Sequence, residues 1–134
     1  MTSKAKLVDG FWIAIDDGRT HSTCVDIQPD LGTDRGPSAL ELAVMSFAGC
    51  VATIFVLMAK KTRVKINDLE VNVRAEKSEK LKTIAKTNYV VIVRSSENED
   101  RLKRVFDLTR VNCPVGILFE KAGVEISFKL RILK

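Results

Sequence analysis

With 134 residues, 46% of them hydrophobic and 29% charged, the chain can build one domain with an ordinary core and is short for two. Its formal charge of +5 is spread along the sequence, and the one cluster, Lys60, Lys61, Arg63 and Lys65, lacks interleaved aromatics, so a solvated basic face is expected and a nucleic-acid surface is not. Three cysteines without a Cys-x-x-Cys pair and a single histidine, His21, leave too few ligands for the usual zinc arrangements and only one base for Ser-His-Asp hydrolysis, so neither a metal nor a cofactor is expected.

The first residues, MTSKAKLVDG, lack the apolar core and cleavage site of a secretory signal, so a cytoplasmic protein with reduced thiols is expected. FWIAI (11–15) and TCVDI (23–27) are β-rich runs around the turn signal DDGR (16–19), and predict a hairpin with Cys24 as a small buried hydrophobe. QPDLGTDRGPS (28–38) is a loop by its glycines, prolines and aspartates.

Ser38 followed by Glu41 forms a capping-box pattern that opens a helix near Ala39 and running to about Thr62. Within it, LAVMSFAGCVATIFVLMA (42–59) has no charge and approaches membrane-spanning length. Ser46, Gly49, Thr53 and the β-rich polar remainder favour instead a central core helix, apolar on all sides because protein surrounds it.

INDLEVNVRAE (66–76) and TIAKTNYVVIVRS (83–95) predict two antiparallel strands. A second capping box, Ser96 with Glu99, predicts a helix over about 97–111 with Leu102, Val105 and Phe106 on its apolar stripe. Pro114 is placed to start a short helical turn ending at Gly123, and VEISFKLRIL (124–133) alternates as a strand. The order β-β-α-β-β-α-β implies an α+β domain with a mainly antiparallel sheet.

Cys50 lies in the middle of the apolar helix with Ser46 and Thr53 on its side, and a second thiol opens Cys113-Pro114-Val115, 63 residues later. Together with GPSALELAVMSFAGC (36–50), this pair resembles the osmotically inducible protein C and organic hydroperoxide resistance (OsmC/Ohr-like) family, whose members carry a leucine-rich helix ending in a small residue and Cys, then Cys-Pro at about that distance. The resemblance extends over essentially the whole chain, taken as a single OsmC-like domain over 1–134. It implies an α+β fold with a long buried central helix, an intertwined homodimer with active sites at the subunit interface, and thiol-dependent reduction of peroxides, often organic ones. This chain has Ala39 where proline is common and Gly116 where many members have serine. Glu41 stands nine residues before Cys50, whereas the organic-hydroperoxide branch carries a glutamate ten before, the place of Leu40 here.

Attack on a peroxide needs a thiolate, and a mid-helix cysteine gets little help from the helix dipole, so a cation from elsewhere is expected. Arg35, in the loop before the helix, is the first candidate and Arg19, in the hairpin turn, the second. Glu41 is placed to orient such an arginine, but it lies about 13 Å from Cys50 along one helix and is also the capping residue. Phe47, Ile54 and Phe55 surround the thiol with apolar surface suited to a hydrophobic peroxide. Cys113 would condense with the Cys50 sulfenic acid, and an external dithiol of lipoyl or thioredoxin type would reopen the disulfide. The reading is a thiol peroxidase in oxidative-stress defence, with neither nucleic acid nor membrane as partner. The alternative is a non-catalytic redox or apolar-ligand-binding module of the same fold.

Overall fold

The computed structural model describes Met1–Lys134 and divides them into two compact units, Met1–Ala43 and Val44–Lys134. The first unit holds an antiparallel sheet of β1 (Lys4–Asp9), β2 (Trp12–Asp16) and β3 (Ser22–Val25), in that order. The predicted hairpin is β2–β3. β1 was not legible in the sequence, because KAKLVD is exposed along its whole length and shows no buried alternation. Pairing with β2 makes it a strand, through a turn in which Gly10 takes φ +57°, a left-handed value that favours glycine.

The loop after β3 is folded around one carboxylate. Asp26, 2% exposed, accepts from the Thr33 hydroxyl at 2.6 Å and from the backbone N–H groups of Ile27 at 2.7 Å and Arg35 at 3.1 Å. These donors, the Thr33 hydroxyl first, lower the Asp26 pKa to about 2. The loop delivers the chain to helix α1 (Ala39–Lys61), and the predicted capping box is formed: the Glu41 N–H donates to Ser38 Oγ at 3.1 Å and the Ser38 N–H to Glu41 Oε1 at 3.0 Å.

α1 buries Phe47, Val51, Phe55, Met58 and Ala59, a stripe at helical spacing. The stripe is narrower than the sequence suggested, since Met45, Gly49, Thr53 and Leu57, four residues apart, stay exposed. The turn that follows α1 is tied down by Arg101, which donates to Thr62 O at 3.1 Å and Arg63 O at 2.9 Å and pairs with Glu97 at 2.6 Å.

A second sheet orders its strands β4 (Asp68–Ser78), β5 (Thr83–Arg94) and β6 (Glu125–Leu133). β4 and β5 are the expected antiparallel pair, while β6 lies parallel to β5. A parallel neighbour needs a crossover, and α2 (Glu99–Asn112) with α3 (Pro114–Lys121) supplies it. Thr87, Tyr89, Val91 and Val93 turn one face of β5 inward, where Tyr89, Val91 and Val93 join Leu102, Val105 and Phe106 of α2 and the buried face of α1 in one apolar cluster. Fully burying such side chains stabilises by about 1.5–3 kcal/mol each.

The cap of α2 differs from expectation. Asn98, not Ser96, accepts from the Asp100 N–H at 2.8 Å. Ser95 and Glu97 instead bond to Lys65, through Ser95 Oγ to Lys65 O at 2.6 Å and the Lys65 N–H to Glu97 Oε1 at 3.0 Å. These contacts hold residues 95–97 outside the helix, so it begins after Asn98.

Candidate functional site

Two helix features bring the thiols together. Cys50 sits mid-α1 and is partly exposed, with Thr53 on the same side returning its hydroxyl to Gly49 O at 2.8 Å. Cys113 stands at the corner between α2 and α3, in extended backbone with φ −81° and ψ 107°, because Pro114 ends one helix and starts the next. It is the N-cap of α3, and its Sγ accepts from the Gly116 N–H at 3.4 Å. From there the thiol of Cys113 donates to Cys50 Sγ at 3.1 Å. Both are free thiols. Burial, then the bond to Cys50, pushes the Cys113 pKa up to about 11, so Cys113 holds its proton and offers it to the Cys50 sulfur.

Gly116 makes this approach possible. A Cβ there would stand 3.2 Å from the Phe47 ring and 3.4 Å from Cys113 Sγ, so a side chain would press α3 away from α1. Phe47 in turn packs edge-on to Tyr89, with ring centroids 5.5 Å apart, and against Phe119 at 4.9 Å.

A cavity of about 400 Å³ opens beside Cys113, lined among others by Phe47, Tyr89, Arg110, Gly116 and Phe128. The Arg110 guanidinium lies over the Phe128 ring, 3.6 Å from its centroid, and reaches Asp107 at 3.3 Å. Burial raises the Tyr89 pKa to about 12, so its phenol stays protonated. Tyr89, Arg110 and Phe128 were not anticipated. They come from a strand, a helix and another strand, and no short motif joins them. Of the apolar residues expected around the thiol, Phe47 lines this cavity, whereas Phe55 is fully buried in the core.

The other candidate residues belong to the first unit. Arg35 stacks over Trp12, its guanidinium 4.5 Å from the ring centroid, and Arg19 pairs with Asp17 at 3.3 Å. Glu41 is held by its cap, whose donors lower its pKa. Cys24, the third thiol, donates to Arg35 O at 3.5 Å. No group of three or more His, Cys, Asp or Glu side chains is arranged to hold a metal ion.

With this geometry in view, comparison with known proteins places the chain. The sequence profile described as OsmC-like protein matches residues 32–129. The chain belongs to the OsmC-like family. Among curated relatives, protein YhfA of Escherichia coli is 27% identical over 125 residues, 91% of each chain. The crystal structure of an OsmC-like protein from Mycoplasma pneumoniae superposes with a TM-score of 0.89 at 19% identity, over 99% of this chain and 96% of that one. The organic hydroperoxide resistance protein OhrB of Bacillus subtilis gives a TM-score of 0.64 at 18% identity, over 97% of this chain and 96% of its own. At these identities the two structures establish the OsmC-like α+β fold, and the profile match establishes the family.

Proposed function

We propose that this OsmC-like chain is a thiol-dependent peroxidase that reduces organic hydroperoxides. The observation that carries the reading is the 3.1 Å approach of Cys113 Sγ to Cys50 Sγ. The Cys50 thiolate attacks the terminal peroxide oxygen, the O–O bond breaks, and the alkoxide leaves as alcohol after taking a proton. The sulfenic acid left on Cys50 is met by Cys113, whose sulfur bonds to Cys50 as water departs. A sulfur already at 3.1 Å needs to close only about 1 Å to reach the disulfide length near 2.05 Å.

In this reading Arg35, or failing it Arg19, stabilises the thiolate, and Glu41 either orients that arginine or serves only as the cap. An external dithiol restores the pair. The whole chain, 1–134, works as one cytoplasmic domain within a homodimer, and the exposed Met45 and Leu57 on α1 support a partner on that face. The non-catalytic alternative draws its support from the cavity beside Cys113, which suits an apolar ligand.

Titration of the reduced protein with cumene hydroperoxide separates the two. One equivalent should remove two thiols per chain, and Cys50→Ser should abolish the loss. Slow, unselective loss of thiols that survives Cys50→Ser would overturn the peroxidase reading.

A further inference from the structure

The cycle proposed above needs two proton transfers. The alkoxide released from the peroxide must gain a proton, and Cys113 must lose one, because the thiolate rather than the thiol attacks sulfur. Cys113 ionises poorly by itself: it is 2% exposed, and with its pKa raised to about 11 only about one molecule in ten thousand carries the thiolate at pH 7. Its proton rests instead in the S–H bond aimed at Cys50 Sγ, 3.1 Å away. Cys113 also lines the cavity of about 400 Å³, and Cys50 does not. Among the cavity residues, Cys113 is the one that hydrogen-bonds Cys50 Sγ. The Tyr89 phenol on the same wall, at about 12, holds its proton more tightly, and the Arg110 guanidinium is engaged by Phe128 and Asp107.

We propose that Cys113 is the general acid of the peroxide step: its thiol proton passes to the departing alkoxide, and the thiolate so formed closes the disulfide. The inference rests on the two-thiol reading and gives Cys113 a catalytic role earlier in the cycle. A hydroperoxide whose organic part occupies the cavity presents its terminal oxygen to Cys50 past Cys113. In-line attack on that oxygen leaves the alkoxyl oxygen one O–O bond further on, on the cavity side, where the Cys113 thiol stands. At the same moment the Cys50 sulfur commits its electron pair to oxygen, so the S–H of Cys113 loses its acceptor and turns to the new one.

The chemistry balances without a further reactant. The Cys50 thiolate bonds to the terminal oxygen, the O–O bond breaks, and the alkoxide takes the Cys113 proton and leaves as alcohol. Cys50 is then a sulfenic acid and Cys113 a thiolate. The Cys113 thiolate displaces hydroxide from Cys50, and the hydroxide leaves as water with the proton that Cys50 had released to solvent on ionising. The peroxide gains two electrons, which the new disulfide has supplied. An alkoxide is a far stronger base than a thiolate, so the transfer runs downhill even from a thiol whose burial holds its proton. Cys113 thus becomes nucleophilic only once a sulfenic acid stands beside it.

Two oxidants with different leaving groups test the transfer. Cumene hydroperoxide releases an alkoxide that needs a proton, whereas peracetic acid releases acetate, which does not. Single turnovers of the full-length reduced protein are stopped with N-ethylmaleimide at timed intervals, and loss of the Cys50 thiol is mapped by mass. Cys113→Ala should lower the ratio of the cumene hydroperoxide rate to the peracetic acid rate about a hundredfold, since the ratio cancels any disturbance of Cys50 itself. Cys113→Ser, which keeps an O–H donor, should recover about tenfold of that ratio. An unchanged ratio in Cys113→Ala, or the same ratio in Cys113→Ser as in Cys113→Ala, would overturn the proposal while the peroxidase reading stands. A native chain whose Cys50 neither oxidant consumes would overturn that reading, and the general acid with it.

Discussion

Cys113, at the N-cap of α3, donates its thiol proton to Cys50 in the middle of α1 across 3.1 Å. The pair is asymmetric: Cys113 is 2% exposed and its pKa is raised to about 11, whereas Cys50 is partly exposed and receives the bond. That asymmetry bears on the proposed roles, since burial keeps the proton on Cys113 while Cys50 is the thiol that solvent partly reaches.

The first prediction follows for Cys113. Cys113→Ser should still consume about one equivalent of hydroperoxide, because Cys50 can attack, and then stall with Cys50 advancing to sulfinic acid under excess peroxide. Intact mass reads the gain of two oxygens. Normal cycling of this variant with a dithiol reductant would remove Cys113 from the mechanism.

The pH dependence of thiol labelling tests the same asymmetry. Burial raises the Cys113 pKa from 9.0 to about 11, so the neutral thiol persists through the range where an ordinary cysteine ionises. Iodoacetamide at pH 8 should modify Cys50 before Cys113, and the Cys113 rate should climb only towards pH 11. Labelling in denaturant should return Cys113 to ordinary behaviour. A native Cys113 that reacts as fast as Cys50 at pH 8 would contradict the assigned roles.

For the cation, Arg35→Ala should move the pH–rate profile of peroxide attack to higher pH and slow the reaction at neutral pH by about tenfold, because the cation proposed to favour the thiolate is lost. Arg35 is held against Trp12, so Arg35→Lys, which keeps the charge but not the flat stacking group, should recover only part of the rate. An unaltered profile in Arg35→Ala alongside a shifted one in Arg19→Ala would move the role to Arg19.

Asp26 gives a stability prediction. Its folded pKa is depressed from 3.8 to about 2, so its contribution is complete above pH 3.8 and is lost as the pH falls towards 2. Asp26→Asn should lower the melting temperature by several degrees at neutral pH, because the Thr33 and Arg35 donors lose a charged acceptor. The gap to the native chain should narrow between pH 3.8 and pH 2. A gap independent of pH would mean that the Asp26 charge does not stabilise the loop.

Much of this protein was legible before folding. Short-range physics determined α1, because Ser38 and Glu41 cap it and the charge-free run after them has nowhere else to go. The β4–β5 hairpin, Pro114 at the start of α3 and the spacing that marks Cys50 and Cys113 as a pair are likewise local or motif signals. β1 escaped because its six residues are exposed and become a strand only through pairing. The Ser96 cap failed because Ser95 and Glu97 are claimed by Lys65, some thirty residues away. Only the tertiary structure set β6 parallel to β5, brought Tyr89, Arg110 and Phe128 around one cavity, and gave Gly116 its purpose beneath Phe47. Each of these depends on the path of the α2–α3 crossover, which joins residues far apart in sequence by packing rather than by any local preference of the chain.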